Sequence, residues 1–153
     1  MSDENLREVF RALREAQTRY SYFLLAASGA AIGLAVSQTQ SATLGWFETP
    51  LGLAVLMWGL SFFMGCRHLA YVSSTLYANA ELLQVESGSH PELGQHPQMI
   101  AAASEGIRQA IESNSEHSNQ LGHWQFRFLI LGGLLYIVWH VGQMYLRTVL
   151  PAG

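Results

Sequence analysis

Charged residues are missing from three long stretches of this chain. Residues 20–47, 49–66 and 128–146 contain no Asp, Glu, Lys or Arg. A helix that crosses a bilayer needs roughly 20 mainly apolar residues, because each adds about 1.5 Å against a hydrocarbon core of about 30 Å. The pattern predicts three spans: 20–37 (YSYFLLAASGAAIGLAVS), 51–71 (LGLAVLMWGLSFFMGCRHLAY) and 126–146 (FRFLILGGLLYIVWHVGQMYL). Backbone groups in lipid must be satisfied within the segment, so each span is expected to be a helix. The expected fold class is all-α, an integral membrane protein with three transmembrane helices and a cytoplasmic helical extension. The competing reading is a soluble bundle with three buried helices, in which charge-free stretches of this length are unusual.

Outside the spans the pattern becomes amphipathic. In residues 3–19, Leu6, Val9, Phe10, Leu13 and Ala16 recur at helical spacing. Glu4 with Arg7, Glu8 with Arg11, and Glu15 with Arg19 are spaced to pair on the other face. No Gly or Pro intervenes before the first span, so one helix is expected from about residue 3 to 37. Its apolar stripe is expected to pack on other cytoplasmic helices. A membrane-surface role is the alternative, and such surface helices are usually richer in basic residues. Residues 38–50 form a short polar loop with an aromatic tip, Trp46 and Phe47.

The second span is expected to continue to about residue 87 through Leu69, Val72, Leu76, Leu83 and Val85, with no breaker before Gly88. Residues 88–97 (GSHPELGQHP) hold two Gly and two Pro and read as a turn, with Pro97 suited to open a helix. From there Ile100, Ala103, Ile107, Ala110, Asn114, His117, Leu121, Trp124 and Phe128 alternate three and four apart, a heptad-like seam through a cytoplasmic helix over 98–124. This helix is longer than the extension of the second span by roughly 16 Å at 1.5 Å per residue. Either the connection folds back, or the helix breaks, and SNSEHSN (113–119) offers the natural break because Ser and Asn compete for backbone groups.

Composition sharpens the class. Of 153 residues, half are apolar and 12% are charged, against about a quarter charged in a soluble domain. That excludes both an ordinary soluble domain and a disordered chain. Net charge is −3, so nothing advertises a nucleic-acid surface. Cys66 stands alone, which excludes an intrachain disulfide and a multi-thiolate site. All eight basic residues are Arg, and their placement sets the orientation. Arg7, Arg11, Arg14 and Arg19 precede the first span, Arg67, Arg108 and Arg127 bound or occupy the long second connection, and only Arg147 lies beyond the third. The expectation is a cytoplasmic N-terminus and second loop, with the first loop and C-terminus outside. Asp3, Glu4, Glu8 and Glu15 are unlike the short basic region of a cleaved leader. The Arg-only composition suits a GC-rich genome, and the topology suits a bacterial inner membrane.

Candidate chemistry is sparse. His140, with Gln143 one turn on, is a polar group inside the third span, where ionisable residues are functional candidates; a neutral His bonded to a neighbouring helix is the plainer reading. Arg67 and His68 form an interfacial cluster beside Cys66. Neighbours on a helix point about 100° apart, so Cys66 and His68 are not a nucleophile pair, and Arg67 is expected to snorkel towards Glu81, Glu112 or Glu116. His90, His96, His117 and His123 have no ligand spacing, and no metal site or cofactor is expected. Gly29, Gly33 and Ser37 recur every four residues, a close-approach stripe for membrane helices; Gly59, Gly65, Gly132 and Gly133 offer further contact points. Ser73, Thr75 and Asn79 could line a vestibule or simply face water. No catalytic motif occurs, so no enzyme is expected. Two functions remain: a self-associating membrane protein that forms a pore, with His140, Gln143, Ser73, Thr75 and Asn79 as lining candidates, or a non-catalytic accessory subunit bound to another membrane protein.

Overall fold

A computed structural model describes residues 3–39, 45–91 and 96–149. Three helices carry almost all of them: α1 (Asp3–Thr39), α2 (Thr49–Glu86) and α3 (Pro97–Val149), with one 3-10 turn at Trp46–Glu48. No strand occurs among the described residues. All three helices are long and apolar enough to cross a membrane.

The helix ends follow local chemistry. Pro50 sits in the first turn of α2, where its missing N–H is no loss. Gly88 ends the same helix in the left-handed conformation, φ 67°. Around it the Ser89 N–H donates to the Gln84 carbonyl (3.1 Å) and the Gly88 N–H to the Val85 carbonyl (3.0 Å), the paired bonds of a Schellman cap. Pro97 opens α3, and the His96 carbonyl accepts the first helical bond from Ile100 N–H (3.1 Å). Helix α3 runs unbroken through SNSEHSN. Of the two sequence alternatives, the continuous helix is the observed one.

The chain divides into two compact units, residues 1–65 with 123–153, and residues 66–122. In the first unit α1 supplies Leu24, Ser28 and Ala35 to the interior, and α2 supplies Leu51, Ala54, Trp58 and Ser61. From α3, Gly132 lies beneath Trp58: a Cβ there would fall 2.6 Å from the indole and 3.1 Å from the Ala54 carbonyl. Gly65 is equally tight, its Cβ position lying 2.5 Å from the Gln125 amide and 2.7 Å from Leu25. These two glycines make the close approaches of this unit. Gly29, Gly33, Gly59 and Gly133 face open space.

The second unit is a hairpin of the α2 and α3 portions within 66–122. Its α3 side buries or half-buries Ile100, Ser104, Ile107, Ile111, Asn114, Ser118 and Leu121, while Ala110 and His117 are exposed. The expected seam holds at Ile100, Ala103, Ile107, Asn114 and Leu121 but is displaced by one residue at Ala110 and His117, and in the first unit Gln125 likewise takes the inward place expected of Trp124. The positions that turn inward carry Ile111, Ser118 and Gln125, and of these Ser118 and Gln125 are polar residues that an apolar pattern passes over. Arg108 pairs with Glu86 at the end of α2 (2.6 Å). Residues 97–107 thus precede that level by roughly 16 Å of helix. The length mismatch is met by an overhang of α3, with no break in it.

Candidate functional site

The polar groups of the first unit gather in two places. In the interior, Ser28 of α1, Ser61 of α2 and the Gln125 backbone of α3 meet. The Ser61 hydroxyl donates to the Gln125 carbonyl (2.8 Å) and lies 3.0 Å from the Ser28 hydroxyl, which also reaches the Leu24 carbonyl (2.9 Å). Two hydroxyl protons serve three contacts, so Ser28 either bonds its own helix or completes a chain through Ser61 to α3. One turn further along α3, the Trp58 indole N–H donates to the Leu129 carbonyl (3.3 Å). The Gln125 side chain is also buried, and its amide nitrogen has no partner among the described residues. A buried donor left without a bond costs about 1–3 kcal/mol.

The second place lies where α1 ends and α2 begins. Glu48 is half-buried, and its carboxylate accepts from the Trp139 indole (2.8 Å) and from the Gln143 amide (2.9 Å). Tyr136 donates its hydroxyl to Gln38 of α1 (2.9 Å) and sits among Trp58, Trp139 and His140. The His140 ring is exposed and stacks on Tyr136, with planes 14° apart. A shallow cleft of about 250 Å³ opens beside this cluster, lined by Gln38, Trp139, His140, Gln143, Met144 and Arg147. The fold thus brings His140 and Gln143 together, and binds Gln143 to a carboxylate that the sequence placed in a loop.

In the second unit, His68 Nδ1 lies 2.8 Å from the Ser118 carbonyl and 3.0 Å from the Ser118 hydroxyl, which ties α2 to α3 there. Gly122 leaves ordinary contact room for that ring, at 3.6 Å. Arg67 does not reach Glu81, Glu112 or Glu116. Its guanidinium lies over the Tyr71 ring, 5.4 Å from the centroid, and bonds the Tyr71 hydroxyl at 3.4 Å. The aromatic ring one turn along its own helix is the nearer partner. Thr75 and Asn79 bond backward to the Tyr71 and Thr75 carbonyls of their own helix (both 2.9 Å), and Ser73 is exposed. Ser37 likewise bonds Leu34 of its own helix. Cys66 is exposed. Among the described residues no group of three or more His, Cys, Asp or Glu is placed to hold a metal.

Sequence reasoning missed Glu48, Gln125 and the Ser28–Ser61 contact. A signal existed for each: a lone carboxylate between two charge-free stretches, and serines or an amide within apolar runs. Comparison with protein-family models, with curated proteins and with solved structures finds no match to this chain.

Proposed function

We propose that this chain is a non-catalytic integral membrane protein that works as a homo-oligomer and forms a permeability pathway in the bacterial inner membrane. Its three helices cross the bilayer, with the N-terminus and the hairpin of residues 72–122 in the cytoplasm and the C-terminus outside. The observation that carries the reading is an inversion of the usual soluble order in the first unit. Ser28, Ser61 and Gln125 are buried, while Leu34, Val36, Leu53, Leu56, Phe62, Phe63, Ile130, Leu131, Leu134, Ile137, Val138 and Val141 are exposed. Only 6% of the most apolar window of α3 is buried. Apolar side chains turned outward cost free energy in water and none in hydrocarbon, where polar side chains turn inward to find partners. In the second unit the exposed face of α3 is polar, with Gln98, Glu105, Gln109, Glu112, Glu116 and Gln120, which suits water.

Three spans are too few to enclose a path, so the pathway lies on the axis of a symmetric ring. Exposed His140 and Ser73 are its leading lining residues. The test is native mass spectrometry of the protein in lipid nanodiscs, followed by conductance of His140→Ala. A ring of identical chains with altered conductance supports the proposal, and a monomer in lipid refutes it. A second reading, an accessory subunit of another membrane protein, is favoured by one observation: Gln143, Thr75 and Asn79 already spend their polar groups on their own chain. A fixed-ratio complex with a different protein selects that reading.

A further inference from the structure

Two apolar stripes stay uncovered on segments that are otherwise polar. On α1, Leu6, Val9, Phe10 and Leu13 are between 44% and 63% exposed. The packed position expected for this stripe is therefore not observed. On the α2 part of the hairpin, Leu76, Tyr77 and Leu83 are between 44% and 79% exposed, and Ala80 lies between them, also exposed.

We propose that copies of this chain dock head to tail, the residue 3–19 portion of α1 in one copy lying antiparallel along the Leu76–Leu83 stripe of α2 in the next. The proposal rests on the membrane-spanning, self-associating reading above. Three observations choose this occupant. The first is charge. At 100° per residue, Arg7 and Arg14 fall on one flank of the α1 stripe, Arg11 lies between that flank and the far side, and Glu4, Glu8 and Glu15 fall on the far side. None of these three arginines has an ion pair among the described residues, whereas Arg19 is held by Glu15 at 2.6 Å. A seam between two α1 helices would give the arginines no carboxylate. The hairpin segment 66–122 offers six Glu against two Arg, and Glu81 stands one turn from Tyr77, flanking the α2 stripe.

The second observation is handedness. In an antiparallel pair the arginine flank of α1 falls on the Tyr77–Glu81 side of α2, away from α3. That places guanidinium groups against a carboxylate and an aromatic face, both of which they favour. The third is depth. Leu6–Leu13 lies about 10–21 Å along the helix before the first span begins at Tyr20, and Leu76–Leu83 lies about 8–18 Å after the second span ends at Tyr71. Counted along each helix from its span end, the two stripes are offset by only about 3 Å. Because they are different surfaces, the contact is heterologous and closes into a ring when the rotation permits.

Cysteine cross-linking in native membranes tests this. In a Cys66→Ser background, one tagged copy carries Phe10→Cys and a differently tagged copy carries Ala80→Cys. The expected product is a disulfide-linked dimer holding both tags. Adding Arg7→Glu, Arg11→Glu and Arg14→Glu to the first copy should cut its yield roughly tenfold, the change produced by about 1.4 kcal/mol, and Glu81→Arg in the second copy should restore part of it. Dimers of Phe10→Cys with itself, or a disulfide formed only within a chain that bears both cysteines, overturn the proposal. No cross-link in a protein that native mass spectrometry finds oligomeric overturns the docking and leaves self-association standing. No cross-link in a monomeric protein overturns both.

Discussion

Two adjacent glycines in α3 should respond in opposite ways to the same added methyl group. In Gly132→Ala the new Cβ would stand 2.6 Å from the Trp58 indole and 3.1 Å from the Ala54 carbonyl. Trp58 is buried, so neither it nor the α2 backbone has free space to retreat into. Overpacking a filled interior costs about 1–3 kcal/mol. Displacing the indole also endangers its bond to the Leu129 carbonyl, worth about 0.5–1.5 kcal/mol net. The sum is about 1.5–4.5 kcal/mol, against a helix-propensity gain of at most about 1 kcal/mol. Gly133→Ala meets nothing within 4 Å and keeps only the gain. The two variants should therefore differ by about 1.5–4.5 kcal/mol, which corresponds to roughly 3–18 °C in unfolding midpoint for a chain of this size. Thermal unfolding of both proteins in the same mild detergent, followed by circular dichroism, measures the difference. Equal midpoints, or a lower one for Gly133→Ala, would refute the packing of α3 on Trp58.

Gln125→Met should raise the unfolding midpoint, because a side chain of similar size replaces a buried amide whose nitrogen lacks a partner, relieving about 1–3 kcal/mol; a lower midpoint would show that the amide is satisfied. Ser61→Ala should lose about 0.6 kcal/mol and at most about 1.7, the average and the maximum measured for side-chain hydrogen bonds between apolar helices in lipid, and Ser28→Ala added to it should cost little more, since Ser28 keeps a bond to Leu24 only within its own helix; additive losses would argue against a shared chain. Glu48→Ala should free both Trp139 and Gln143, destabilise by about 1.5–3 kcal/mol, and shift tryptophan fluorescence, whereas an unchanged spectrum would place the carboxylate elsewhere. Arg108→Ala should change stability by less than about 1 kcal/mol, as its pair with Glu86 is largely exposed, and a larger loss in denaturant titration would mean that the overhang of α3 depends on it.

Much of the architecture is legible in the chain because the signals are one-dimensional. The three charge-free stretches mark helices long enough to span a bilayer, and the absence of Gly and Pro between Asp3 and the first span leaves α1 unbroken. Gly88 and Pro97 bracket the connection because one tolerates a left-handed φ and the other needs no N–H. The seam of α3 was less legible. Apolar periodicity selects Ala110, His117 and Trp124, whereas the fold buries Ser118 and Gln125 and half-buries Ile111. Small and polar residues at a helix contact give little signal to a pattern that looks for large apolar ones.

The sequence by itself determined the class of this molecule. It specified the number of helices, their lengths and which stretches shun charge, since these depend on residue type and spacing alone. Tertiary structure decided which small residues matter and which polar groups are shared. Gly65 and Gly132 make the close contacts while Gly29 and Gly33 remain open, although all four look alike in sequence. Glu48 meets Trp139 and Gln143 more than 90 residues away. Such pairings depend on how each helix is rotated about its own axis, and that rotation is fixed only when the helices pack.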